Sequence, residues 1–291
     1  MSSHASISCS EVWGGNRAVE AALVLPGVSG WVCSRPFEGA KEGGDVHYVS
    51  SCGTGRITRV MLADVSGHGT AVAETGRGLR RVMQRYLNHE RPQALAKRLN
   101  RDMKELAGDS GRFATALVIT FYSPRGRLSI CNAGHPSPLV YRAAKGTWDT
   151  IDQPNLEKKV SNLPLGVVEG SGYVGRELTL DLGDMVVGYT DCLTEARSGS
   201  GKMLGEEGLL EIMRKMPREV VEGSPSGLAE AVIEAVERRG CVLDDDLTAV
   251  VLRCTRRSHG AGVRAFFGGV WRVVKQLRDP GALPWPDGLL R

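Results

Sequence analysis

Apolar residues alternate with polar ones, or run unbroken, in short stretches of the chain, and between these blocks they recur at helical spacing. Residues 21–25 and 30–34 predict two strands around the turn Pro26-Gly27, and 46–52 with 56–64 predict an antiparallel pair around Gly53-Thr54-Gly55. The spacing then predicts a helix over 70–87, with Leu79, Val82, Met83 and Tyr86 on one face, and another over 92–107 through Leu95, Leu99, Met103 and Leu106. Strands return over 113–122, 128–132, 139–142, 173–180, 185–189 and 247–254. Further helices fall over 206–215 and 225–239. Ser224 is the expected N-cap of the last helix, Pro225 its first turn and Gly240 its stop. Residues 1–20 show no pattern and are expected to be partly ordered at best, and 143–172 read as loop. Strand blocks separated by paired helices imply an α+β fold in which helices cover two mostly antiparallel sheets.

Composition narrows the class. The 291 residues are 42% hydrophobic and 24% charged, the balance of an ordinary globular protein, with room for one large domain or two small ones. Seven scattered cysteines without a Cys-x-x-Cys argue against a disulfide framework and structural zinc, and reduced thiols point to the cytoplasm. No signal-peptide pattern and no run of about 18 apolar residues is found.

The net charge of +4 is unevenly placed. Residues 256–291 hold seven basic and two acidic side chains, a net +5, which leaves the rest at −1. The basic balance therefore belongs to the tail, and no nucleic-acid partner is expected for the main domain. Within that tail Val263, Phe266, Phe267, Val270, Trp271, Val274 and Leu277 form one helical face, and Arg264, Arg272, Lys275 and Arg278 lie largely elsewhere. Such a basic amphipathic segment can dock on its own domain or on a second copy in a homodimer. It can also fill a partner's groove or lie on an anionic membrane, and membrane association is the least favoured of these uses.

Four aspartates carry the candidate chemistry. Asp45 closes Gly43-Gly44-Asp45. Asp64 opens Asp64-Val65-Ser66-Gly67-His68-Gly69 after the apolar run 60–63. Asp191 ends the apolar run 185–190, and Asp245 sits in Asp244-Asp245-Asp246-Leu247-Thr248 before the apolar run 249–252. A carboxylate at the tip of a buried strand is costly to desolvate alone. Several gathered around a hard cation are charge-balanced. The hairpin 46–64 would bring Asp45 and Asp64 to the same end of a sheet.

Five motifs in order resemble the metal-dependent serine/threonine protein phosphatases of the PPM family, in their bacterial SpoIIE/RsbU-like branch: Gly43-Gly44-Asp45, Asp64 to Gly69, Asn132-Ala133-Gly134-His135-Pro136, Thr190-Asp191-Cys192-Leu193-Thr194-Glu195-Ala196 and Asp245-Asp246-Leu247-Thr248. The resemblance covers roughly residues 30–255, so the expected organisation is an N-terminal segment 1–29, a phosphatase domain 30–255 and the tail 256–291. It implies an αββα sandwich holding two ions, Mn²⁺ or Mg²⁺. Asp64 would bridge the ions, with the Val65 carbonyl and Asp45 on one of them and Asp191 and Asp245 on the other. It implies further that a metal-activated water hydrolyses phosphoserine or phosphothreonine on a bacterial regulatory protein, such as an anti-sigma antagonist. A catalytically weak scaffold that binds phosphorylated regulators is the alternative, and a hydrolase of small phosphate esters a third reading.

Two positions depart from the branch pattern: Tyr48 stands where a second acid is usual, and Cys192 where glycine is usual. His68 reads first as structural and second as a proton donor. His135 reads as a turn residue under the site, Asp246 as a neighbour that tunes a ligand, and Cys192 as packing rather than a redox handle.

Overall fold

The structure is a computed structural model that describes residues 3–6, 12–51, 56–67, 70–85, 91–151 and 161–255. In chain order its strands are β1 (Ser3–Ser6), β2 (Val12–Gly15), β3 (Val19–Leu25), β4 (Val28–Arg35), β5 (Val46–Ser51), β6 (Ile57–Val65), β7 (Ala114–Tyr122), β8 (Arg127–Ala133), β9 (Leu139–Arg142), β10 (Thr147–Thr150), β11 (Gly175–Thr179), β12 (Met185–Tyr189), β13 (Arg197–Ser198), β14 (Cys241–Val242) and β15 (Leu247–Cys254). The helices are α1 (Thr70–Arg85), α2 (Pro92–Ala107), α3 (Cys192–Glu195), α4 (Gly205–Lys215), α5 (Arg218–Glu222) and α6 (Pro225–Arg238).

Two sheets stack face to face. One runs β1-β3-β4-β15-β12-β9-β10 and the other β11-β8-β7-β6-β5-β2, and every pairing is antiparallel except β1 with β3. Three apolar layers follow from period-two alternation. Val60 and Leu62 of β6 join Leu117, Ile119, Val250 and Leu252 between the sheets. Met61, Ala63 and Val65 of the same strand pack instead with Leu79, Met83, Leu95 and Leu99 of α1 and α2. On the opposite outer face, Val187, Tyr189, Ala249 and Val251 meet Leu209, Met213, Leu228 and Ile233 of α4 and α6. The order helix–sheet–sheet–helix is the predicted αββα sandwich. Strands buried on both faces explain why the sequence shows unbroken apolar runs there.

Local signals account for the helix ends. The Ser224 hydroxyl accepts from the Gly227 amide at 3.0 Å and caps α6. Pro92 opens α2, and Gly108, at φ 51°, ends it in a conformation that glycine takes without steric penalty.

Two expectations need correction. The stretch 1–20 is not unpatterned structurally: Ser3–Ser6 and Val12–Gly15 are strands, paired with β3 and β5. Their partners are distant in sequence or joined by long connections, so local pattern could not reveal them. The loop read over 143–172 contains β10, paired with β9 and anchored by Trp148, which is 3% exposed and tilted against Tyr141 at 5.0 Å. The amphipathic tail 256–291 lies outside the described residues, as does His68. Among the described residues no helix is long and apolar enough to cross a membrane.

Candidate metal centre

The alternation that builds the core also builds the site. On β6, the register that points Val60 and Leu62 between the sheets continues to Asp64. On β15 it continues from Leu252 and Val250 back to Thr248, and past β12 it runs from Val186 to Thr190. Polar groups therefore replace apolar ones at one end of the inter-sheet layer. Asp45, immediately before β5, reaches the same place. It is 3% exposed and accepts a hydrogen bond from the Thr190 hydroxyl at 2.8 Å. Thr190 in turn accepts from the Thr248 amide at 2.9 Å.

Asp191 opens α3. The amide of Thr194 donates to its carbonyl at 2.8 Å and that of Glu195 at 2.7 Å, which turns the chain sharply after β12 and sets Glu195 beside the site. Asp245 accepts from the Asp246 amide at 2.7 Å. The Asp246 carboxylate clamps the loop that carries Asp45: it accepts from the Phe37 amide at 2.7 Å and from the Gly44 amide at 2.6 Å. A Cβ on Gly43 would stand 2.5 Å from that carboxylate, so a side chain there cannot coexist with the clamp. A Cβ on Gly44 would lie 3.2 Å from the Val65 carbonyl, which places that oxygen against the loop as well.

Electrostatics tie the four aspartates into one neighbourhood. Burial pushes the Asp64 carboxyl up to about 8, helped by the charges of Asp191, Asp245, Asp246 and Glu195. Asp45 is raised well above the usual carboxylate range by burial and by Asp64, against the opposing hydrogen bond from Thr190. Asp191 is raised to about 6, by burial first and then by Glu195 and Asp245. Asp245 is raised by burial and by Asp246. Each carboxylate is thus destabilised by burial and by its acidic neighbours, a condition that a divalent cation relieves.

The donor set fits Mn²⁺ or Mg²⁺, since every candidate group is an oxygen. Among the described residues, no three His, Cys, Asp or Glu side chains stand as a preassembled ligand group. The aspartates share a field without forming a closed shell. Beside them opens a cleft of about 1500 Å³, lined among others by Gly43, Gly44, Gly67, Asp245, Asp246, Arg17 and Arg77.

Two further motif residues, His135 and Cys192, are held by packing and hydrogen bonds. His135 is 6% exposed. Its Nδ1 pairs with the Thr115 hydroxyl at 2.8 Å, and Thr115 lies directly across from Asp64 in the sheet. Asn132 closes the turn beneath it, accepting from the His135 amide at 2.7 Å and donating to the His135 carbonyl at 2.7 Å. Burial lowers the His135 imidazole to about 3. Cys192 is 1% exposed, its Sγ donates to the Asp245 carbonyl at 3.3 Å, and burial pushes its thiol up to about 12. That is a packing residue in a helical turn, where glycine's freedom is not needed. Tyr48 faces the α1–α2 layer, so the position where an acid is usual points away from the site.

Three contributors escaped the sequence reading: Thr190, Thr248 and Glu195. All three stand inside motifs already quoted. The signal was the threonine next to Asp191 and two residues past Asp246.

Residues 54–255 match the family model described as Stage II sporulation protein E (SpoIIE). Protein IcfG of Synechocystis sp. is 30% identical over 142 residues, 48% of this chain and 20% of that protein. Phosphoserine phosphatase RsbU of Bacillus subtilis is 25% identical over 198 residues, 67% of this chain and 55% of that protein. The chain thus spans about a fifth and about half of the lengths of these two relatives. Among solved structures, the RsbU and RsbW domains of Rv1364c from Mycobacterium tuberculosis superpose with a TM-score of 0.65 at 22% identity, covering 89% of this chain and 72% of that one. The catalytic domain of the serine/threonine phosphatase PstP, solved with two manganese ions, gives 0.55 at 17% identity, over 78% and 98%. The sandwich is therefore the fold shared with these structures, and the chain belongs to the SpoIIE family.

Proposed function

We propose that this protein is a Mn²⁺- or Mg²⁺-dependent phosphoprotein phosphatase that hydrolyses phosphoserine or phosphothreonine on a bacterial regulatory protein in the cytoplasm. The observation that carries the reading is the convergence of Asp45, Asp64, Asp191 and Asp245, from both sheets, on one end of the inter-sheet layer, where each raises or is raised by another. RsbU, itself a phosphoserine phosphatase by name, supports the substrate class, and the joining of RsbU and RsbW domains in Rv1364c supports a regulatory partner protein, for which an anti-sigma antagonist is our expectation.

Asp64, which feels the charges of Asp191 and Asp245 and in turn raises Asp45, is the residue we assign to both ions. The Val65 carbonyl and Asp45 would complete one ion's protein ligands, and Asp191 and Asp245 would hold the other. When bound, such ions acidify water and neutralise charge on the phosphoryl oxygens. The chain supplies the rest by positioning. Thr190 fixes the Asp45 carboxylate, and Asp246 fixes the loop on which Asp45 stands. The glycines of that loop leave the cleft open to a phosphorylated side chain. We assign this chemistry to residues 30–255 and leave the tail 256–291 a docking or homodimer role.

The test measures hydrolysis of a phosphoserine peptide and of p-nitrophenyl phosphate with Mn²⁺, with EDTA and in Asp191→Asn, together with Mn²⁺ stoichiometry by calorimetry. Two ions per chain, and Mn²⁺-dependent turnover that the variant loses, are the expected results. Two bound ions without turnover of either substrate would favour the scaffold reading.

A further inference from the structure

A second, smaller cleft of about 490 Å³ adjoins the first and shares Arg17, Glu42 and Arg77 with it. Its other walls include Trp13, His47 and Arg80. Three arginines thus line one small space, and among the described lining residues Glu42 is the single carboxylate. Glu42 is already engaged by two of them: Arg17 donates to its Oε1 at 3.0 Å, and Arg77 pairs with its Oε2 at 2.9 Å. Arg80 is half-buried and makes no ion pair among the described residues, and its Nε is buried without a hydrogen-bond partner. His47, 2% exposed and tilted against Trp13 at 5.4 Å, likewise has a buried Nδ1 without a partner.

A cation withdrawn from water without a counter-charge is a standing cost, and buried polar groups left unpaired add to it. An oxyanion with two acceptor oxygens relieves both, because a guanidinium fork pairs with carboxylate or phosphate through two parallel hydrogen bonds. The lining of the neighbouring cleft adds carboxylates, at Asp244, Asp245 and Asp246. A substrate spanning both clefts therefore meets the aspartates of one and the arginines of the other.

We propose that this basic cleft is an anion subsite of the phosphatase groove, which receives an acidic group of the phosphoprotein, a carboxylate or a second phosphoryl, close to the phosphoserine being hydrolysed. The proposal rests on the phosphatase reading above. Arg80 is the anchor, because Arg17 and Arg77 are held by Glu42. The site gives the enzyme a preference for phosphorylated sequences flanked by acidic residues.

The test compares two phosphoserine peptides, identical except that one carries glutamates and the other glutamines around the phosphoserine. Wild type, Arg80→Gln and Arg80→Lys are assayed, with thermal midpoints recorded for each. In parallel, the EDTA-stripped full-length protein is titrated by calorimetry with the unphosphorylated acidic peptide and with inorganic phosphate; without metal the aspartate cluster repels anions, so binding reports on the basic cleft. The expected result is a KM roughly tenfold lower for the acidic peptide in wild type, with kcat alike, the worth of one charge-assisted pair. Arg80→Gln erases the difference, and Arg80→Lys, which keeps the charge but not the fork, retains only part of it. Metal-free wild type binds the acidic peptide and Arg80→Gln does not. Equal KM values in wild type, or a preference that survives Arg80→Gln, overturn the proposal. So does binding of inorganic phosphate without binding of the peptide, since the cleft then takes a free anion. If neither phosphopeptide is hydrolysed, the phosphatase reading fails on its own. Arg80-dependent binding of the unphosphorylated peptide then still supports the subsite, and its absence sinks it.

Discussion

The hydroxyl of Thr190, just past β12 in one sheet, donates to the carboxylate of Asp45, just before β5 in the other, at 2.8 Å. This bond joins the two sheets at the end where the apolar layer between them gives way to aspartates. The same hydroxyl accepts from the Thr248 amide, so one side chain organises three segments.

Thr190→Val keeps the shape and removes both bonds. It leaves the Thr248 amide and the Asp45 carboxylate short of a partner in a fully buried place, which costs about 1–3 kcal/mol. Urea unfolding of the metal-free protein should show a loss of that size, with Thr190→Ser close to wild type. A Thr190→Val midpoint equal to wild type would mean that the bond contributes nothing net.

Asp246 acts through the loop it clamps. Asp246→Asn exchanges one acceptor oxygen for an amide group that faces a backbone N–H of Phe37 or Gly44. The loop loosens and Asp45 loses its fixed position, so Mn²⁺ affinity should fall about 10–100-fold, the usual range for a residue that orients a ligand. Calorimetric titration reads this directly, and an unchanged Kd refutes the role. Gly43→Ala should act in the same direction, because its Cβ would stand 2.5 Å from the clamped carboxylate.

Burial holds His135 neutral, its imidazole lowered to about 3, whereas in the unfolded chain it titrates near 6.5. The unfolded state therefore binds the proton first. The stability that neutral His135 confers is fully present above pH 6.5 and drains away as pH falls towards 3, by at most about 1.4 kcal/mol per pH unit. Buried carboxylates such as Asp64, raised to about 8, act in the opposite sense, so the informative quantity is a difference. Between pH 7 and 5, in EDTA, wild type should lose more stability than His135→Gln. Parallel curves for the two proteins would show that the imidazole is not held neutral.

Cys192 stands in the turn directly after Asp191, and its thiol is pushed up to about 12 by burial. It should stay unmodified by iodoacetamide at pH 8 in the native protein and react once the chain is unfolded in urea. Mass spectrometry of the tryptic peptide decides this. Native alkylation of Cys192 would reopen a redox role.

The sequence by itself determined the elements and the ligand candidates. Unbroken apolar runs such as 60–63 and 249–252 announced strands covered on both faces, and 3.6-residue spacing announced α1, α2, α4 and α6. Each aspartate at the end of such a run was visible as a carboxylate too costly to bury alone. What only the tertiary structure decided is how the two sheets stack. Strand alternation fixes which residues share a face, but not which face meets the other sheet. The pairing of Thr190 with Asp45 across 145 positions, and the grip of Asp246 on an amide 202 positions earlier, depend on that stacking. The same holds for β1 and β2: their hydrogen bonds go to partners that local pattern cannot name, because edge strands are specified by backbone pairing rather than by a continuous apolar face. Arg80 shows the limit most plainly. In sequence it is one arginine on the polar side of a helix, and only the packing of α1 against β2 and β5 leaves it half-buried and, among the described residues, without an ion pair.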